Sequence, residues 1–189
     1  MPTVSSAFTY SPVARPTVLI STQTASSSAS IEFTRLSGYD KYFLVFSNLI
    51  PTAAGSLLNF YVGTGYVPTY LTSDYNFQYF SQDVNNATSF SSGGAGSEAP
   101  ITGNLTALKG GSNGRVNGNI DISGMINGTD ACAHWVAQFG GSASTANTAS
   151  ARGSSLLASG NTTVKTALKL QFSATTILSG KVSLYGLSQ

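Results

Sequence analysis

His134 is the single histidine of this 189-residue chain, so any relay that moves a proton through imidazole has to be built around it. It sits in Ala133-His134-Trp135-Val136-Ala137, a strand-like run, and no serine is set as a nucleophile by its surroundings. A triad needs three matched groups, and one imidazole between apolar neighbours reads as a structural residue. Cys132 lies two positions before it, so both side chains fall on one face of a strand. Two ligands leave a tetrahedral zinc site half built, and the chain has no second cysteine or histidine to complete it. The seven carboxylates are Glu32, Asp40, Asp74, Asp83, Glu98, Asp121 and Asp130. None is marked as half of an acid–base pair, and Asp121, between Ile120 and Ile122, should point away from the core. The oxygen-dense D-x-D run of a calcium loop is missing. Gly63-Thr64-Gly65 leads to Pro68 rather than into a helix, so it is not a phosphate cradle. The reading is a non-enzyme with no catalytic, metal or cofactor residue.

The residues best suited to contact something are aromatic. Phe60, Tyr61, Tyr66, Tyr70, Tyr75, Phe77, Tyr79, Phe80 and Phe90 crowd one stretch. A tyrosine ring buries apolar area while its hydroxyl stays wet, which suits interfaces and sugar stacking. Phe60 and Phe77 are expected in the core. Tyr66 and Tyr70 flank Pro68 in a loop-like segment and are the expected contacts outside the subunit.

The elements that must position these groups are strands. Ala167 to Ser173 alternates apolar with polar, a turn follows, and Gly180 to Leu187 alternates again to within two residues of Gln189. The two together read as a closing β-hairpin. Leu168, Leu170 and Phe172 share one face, as a two-residue period requires. Further strands are predicted near Thr17–Thr22, Ser30–Leu36, Tyr42–Asn48, Leu57–Gly63, Tyr75–Phe80, Ile101–Leu105, Arg115–Ser123 and His134–Phe139. Turn signals such as Ser37-Gly38, Ala54-Gly55, Gly110-Gly111-Ser112-Asn113-Gly114 and Ser179-Gly180 separate them. No segment keeps a 3.6-residue apolar period. The pattern predicts an all-β antiparallel sandwich, jelly-roll-like, over residues 17–189. Asn85 to Pro100 and Gly140 to Asn161 are rich in small residues and read as long loops.

Residues 1–16 carry Pro2, Pro12 and Pro16 with Phe8 and Tyr10 between them, which predicts an extended arm. Two aromatics on such an arm need a place to be buried, on their own subunit or on a neighbour.

Composition narrows the partners. Only 8% of residues are charged, against about 25% in ordinary soluble domains. Charges near a symmetry axis face their own copies and are costly when desolvated, so a neutral polar surface favours assembly. The nine basic residues are spread along the chain, which leaves no electrostatic footprint for nucleic acid. No apolar run approaches a membrane span, and no export signal opens the chain. A single cysteine permits no intrachain disulfide, which fits synthesis in a cytoplasm. Without an export signal, the sequons at Asn86, Asn104, Asn127 and Asn161 read as products of an Asn- and Thr-rich composition.

Three runs carry a family likeness. They are Ser30-Ile-Glu-Phe-Thr-Arg-Leu-Ser-Gly-Tyr-Asp-Lys-Tyr-Phe-Leu-Val-Phe-Ser-Asn-Leu-Ile-Pro51, then Leu58-Asn-Phe-Tyr-Val62, then Ile177-Leu-Ser-Gly-Lys-Val-Ser-Leu-Tyr-Gly-Leu187. They resemble small β-sandwich virion structural proteins of tailed bacteriophages, with a "GYD.Y"-like turn near the start and an "SG…LYG" close. The resemblance implies a component of the virion exterior, made in the host cytoplasm and commonly trimeric. Within that class it implies a capsid decoration or cement protein on the head, bound to the major capsid protein or another virion protein. Phe8 and Tyr10 would then anchor the arm. The alternative is a tail or head fibre domain that binds host-surface carbohydrate through Tyr66 and Tyr70.

Overall fold

A computed structural model describes residues 17–83, 88–103, 114–126, 130–141, 147–157, 160 and 162–187. Among the described residues there is no helix. Thirteen strands form two antiparallel sheets that pack as a sandwich around one contiguous apolar core.

The wide sheet contains β1 (Thr17–Ser28), β3 (Lys41–Pro51), β6 (Tyr75–Asp83), β7 (Thr88–Gly96), β9 (Val116–Ser123), β10 (Ala131–Gly141), β11 (Asn147–Leu157) and β13 (Ile177–Leu187). Its spatial order is β1-β13-β3-β9-β10-β11-β6-β7. The narrow sheet contains β2 (Ile31–Phe33), β4 (Leu58–Thr64), β5 (Thr69–Tyr70), β8 (Ala99–Pro100) and β12 (Lys165–Phe172). Its order is β2-β12-β4-β5, with β8 also paired to β4. At about 4.8 Å between strands, the wide sheet spans roughly 34 Å, well over twice the narrow one.

Alternation sets which residues face inward. Along β10, Ala131, Ala133, Trp135, Ala137 and Phe139 are buried, while His134, Val136 and Gln138 are exposed. The narrow sheet supplies Leu58, Phe60, Val62, Leu168, Leu170 and Phe172 to the same core. Large inward rings fit because glycines lie opposite them. A Cβ on Gly153 would sit 2.7 Å from Trp135 Cε2, one on Gly118 2.7 Å from Phe46 Cζ, and one on Gly93 2.7 Å from Phe77 Cζ. Gly153 is the register partner of Trp135, and Gly118 that of Phe46. A missing Cβ on one strand is thus filled by a ring from the next, which restores the packing a strand glycine would otherwise forfeit.

Tyr75 bolts the two sheets together. Its hydroxyl accepts the Val62 amide N–H at 2.9 Å and donates to the Leu71 carbonyl at 3.2 Å. Leu71 N–H in turn donates to the Val62 carbonyl at 3.0 Å.

Four sequence expectations need correction. The last two strands are not a hairpin: β12 pairs with β2 and β4 in one sheet, and β13 with β1 and β3 in the other. An amphipathic pattern is the same for a hairpin and for an arch between sheets, so the pattern could not separate them. The Asn85–Pro100 stretch contains β7, and the Gly140–Asn161 stretch contains β11. Both strands place small residues inward, Ala149, Ala151 and Gly153 in β11, because the rings of their neighbours already fill the space. Of the strand expected over Ile101–Leu105 only 101–103 is described, and that part is not strand; it bends out of β8, with Gly103 under the Tyr79 ring. The proposed arm, with Phe8 and Tyr10, and the sequons Asn86, Asn104, Asn127 and Asn161 lie outside the described residues.

Gly153→Ala should force Trp135 off its seat and cost about 1–3 kcal/mol, the usual range for overpacking. Ser150→Ala, on the outer face of the same strand, should stay within about 0.5 kcal/mol. Urea unfolding followed by Trp135 fluorescence measures both, and equal midpoints for the two variants would refute the ring-on-glycine account.

Candidate functional site

The outward face of the narrow sheet carries the tyrosines picked out by sequence. Glu32, Lys169 and Tyr61 are register neighbours on β2, β12 and β4. Tyr70, from β5, lies over Gly63, where a Cβ would be 3.0 Å from its Cδ1. Its hydroxyl donates to Glu32 Oε2 at 2.8 Å, and Ser30 Oγ donates to the other carboxylate oxygen at 2.7 Å. Lys169 Nζ stands 4.4 Å from the ring centroids of both Tyr61 and Tyr70. Two aromatic faces therefore hold one ammonium. Tyr70 is part of an intrachain clamp.

Tyr66 is different. It is 71% exposed at the tip of the β4–β5 hairpin, next to the still more exposed Val67. Arg35 Cζ lies 4.1 Å from its ring centroid. Arg35 holds a left-handed φ of 58°, sparsely populated for a non-glycine residue. One ring face is thus backed by a guanidinium.

The outer face of the wide sheet brings together residues that sequence left apart. The register places Phe43, Asp121, His134, Ser154, Gln78 and Ser92 in one row across β3, β9, β10, β11, β6 and β7. The next row runs Val45, Asn119, Val136, Arg152, Phe80 and Phe90. Asp121, His134 and Ser154 thus stand side by side on adjacent strands. No hydrogen bond joins them among the described residues; Ser154 Oγ accepts instead from Gln78 Nε2 at 3.4 Å. As it stands, the row presents hydrogen-bonding groups to solvent. Arg152 Cζ lies 5.5 Å from the Phe80 ring centroid, and Phe90 beyond it is 71% exposed. Two adjoining depressions lie here, of about 350 and 490 Å³, and both are lined by Gln78, His134 and Ser154. In the sequence Phe80 and Phe90 stand out only as members of an aromatic cluster, and nothing there marks Arg152 or Gln78. The register that unites them depends on β7 and β11. A regular alternation of Thr148, Ser150, Arg152 and Ser154 with Ala149, Ala151 and Gly153 was the available signal for β11.

Among the described residues β1 pairs on one side only, with β13, and this edge of the wide sheet is the third feature. Its twelve residues include no charge and no proline, two of the devices that blunt an edge, and its register against β13 slips once, between Leu19 and Ser21, in the manner of a bulge. Val18, Leu19 and Ile20 are all exposed, Leu19 to 55%.

No protein-family model matches the chain, and no curated protein or solved structure matches it.

Buried hydroxyls give the sandwich an alkaline limit. Burial pushes Tyr42 up to about 12 from 10. Burial raises Tyr75 as well, and burial followed by the Glu32 carboxylate raises Tyr70. A tyrosine whose folded pKa is raised stabilises fully below 10, and that stability is lost as pH climbs toward the folded value. Lys165, lowered by burial, acts oppositely, but its effect is complete once the unfolded lysine has titrated near 10.5. The urea midpoint should therefore fall between about pH 10.5 and 12. Tyr75→Phe should flatten that fall and also cost about 1–3 kcal/mol at neutral pH by stranding the Val62 N–H. A midpoint that is flat up to pH 12 in the native chain would contradict this.

Proposed function

We propose that this protein is a non-enzymatic structural component of the exterior of a tailed-bacteriophage virion. Its role there is that of a capsid decoration or cement protein that assembles as a homotrimer. The observation that carries the reading is the β1 edge: twelve uncharged residues with Val18, Leu19 and Ile20 exposed. An edge of that kind is a template for another chain. The near absence of charge supports the same reading, since little has to be desolvated when copies meet.

Strand order supports a jelly roll as the scaffold. β1-β13-β3-β9 faces β2-β12-β4-β8, so successive strands cross between sheets in the alternation of two nested Greek keys. In this reading β10, β11, β6 and β7 extend one sheet beyond the eight-strand framework. The likeness of Ser30–Pro51, Leu58–Val62 and Ile177–Leu187 to virion proteins agrees with such a scaffold.

The mechanism is thermodynamic. A protein that binds the assembled lattice and not its free subunits stabilises the shell by mass action, and each joint it spans adds buried area. Phe8 and Tyr10 anchor it to the capsid. A second reading, a fibre or adhesin domain that binds host carbohydrate, is favoured by the exposed Tyr66 ring backed by Arg35.

Mass measurement of the purified chain should give a trimer, and Leu19→Lys with Ile20→Lys should shift it to monomer without loss of strand signal. A native chain that stays monomeric at tens of micromolar would overturn the assembly reading. Deletion of residues 1–16 should release the protein from particles while leaving its melting temperature within a few degrees; retained binding would remove the arm from the account.

A further inference from the structure

We infer that the outer face of the β10–β11–β6–β7 half of the wide sheet is a binding site for an acidic oligosaccharide. The β1 edge lies at the opposite end of the same sheet, so the inference is independent of the decoration reading.

The two depressions share Gln78, His134 and Ser154, which makes them one open trough. It crosses four strands, about 14 Å at ordinary strand spacing. Phe80 and Phe90 are cross-strand partners at one end. Phe90, at 71% exposure, has no polar atom to gain from solvent, so its free face is available to the apolar C–H face of a pyranose ring. Gln78, Ser154 and Ser92 line the adjoining row, and amides and hydroxyls both donate and accept, as sugar hydroxyls require.

The charge selects the ligand further. Arg152 stands in the same cross-strand row as Phe80 and Phe90, beside the polar row, with its guanidinium over Phe80. None of the residues lining either depression is a carboxylate. The nearest acid in the register is Asp121, on the far side of His134 from the trough. A planar guanidinium accepts a carboxylate by two parallel hydrogen bonds, so a uronic or sialic acid unit fits where a neutral sugar would leave the fork unused. Nucleic acid would need several cations along a track, and the lining of the two depressions offers one arginine.

Isothermal titration of the full chain with sialyllactose, tetragalacturonate and an alginate tetramer, beside neutral maltotetraose, tests this. At least one acidic probe should bind with a submillimolar Kd and maltotetraose more weakly. Arg152→Gln should erase the difference between them, and Phe90→Ala should weaken the acidic probe about tenfold or more. Phe90 is exposed, so its variant should melt with the native chain. Tyr66→Ala should leave binding unchanged. The inference fails if no acidic probe binds at millimolar concentration, if Phe90→Ala binds like the native chain, or if Tyr66→Ala is the variant that loses binding.

Discussion

Rings lying on glycines hold this sandwich open to its full width. Trp135 over Gly153, Phe46 over Gly118 and Phe77 over Gly93 are cross-strand contacts of the same kind. Each lets a large side chain lie along the sheet instead of standing up from it. The constraint follows from the mismatch between sheets. Eight strands face a narrow sheet that covers roughly half of them, so the inner surface of β10, β11 and β6 cannot rely on a full opposing layer. Rings laid flat over glycine and alanine shield more backbone per residue than upright aliphatic chains would.

The same contacts explain what the outer face looks like. Packing on the inner side fixes the pleat, and the pleat fixes which residues are turned outward. Arg152, Ser154, Gln78 and Phe80 reach solvent because Gly153, Tyr79 and their neighbours are claimed by the core. A shift of one residue at β11 would send Arg152 inward and destroy both the core and the trough. Stability and the proposed recognition therefore depend on one register.

Two of the three features proposed to have a function lie at opposite ends of a single sheet. At one end β1 leaves an uncharged edge and three exposed aliphatic residues; at the other, rings, amides and a guanidinium form an open trough. The hairpin tip with Tyr66 belongs to the other sheet. The physics of each differs: strand pairing at the edge, ring stacking and directed hydrogen bonds in the trough. A chain with little charge is suited to both, because neither depends on long-range attraction.

The all-β class, the antiparallel pairing and most of the inward residues were legible in the sequence, since a two-residue period states which side of a strand is apolar. Leu168, Leu170 and Phe172 reveal themselves that way. Alternation does not say which strand lies beside which, so Ala167–Ser173 and Gly180–Leu187 passed for a hairpin although they belong to different sheets. Nor does it mark β7 and β11, whose inward positions are Ala, Gly and Ser and look like loop until a ring is seen to cover them. The trough could not be read at all, because its residues come from two pairs of strands, β6–β7 and β10–β11, that lie far apart in the chain. By itself, then, the sequence determined a low-charge all-β sandwich; the tertiary structure decided the strand order, and through it which strand lies at an edge and which side chains became neighbours. The reason is physical: side-chain period is local to a strand, whereas adjacency depends on the packing of the whole core.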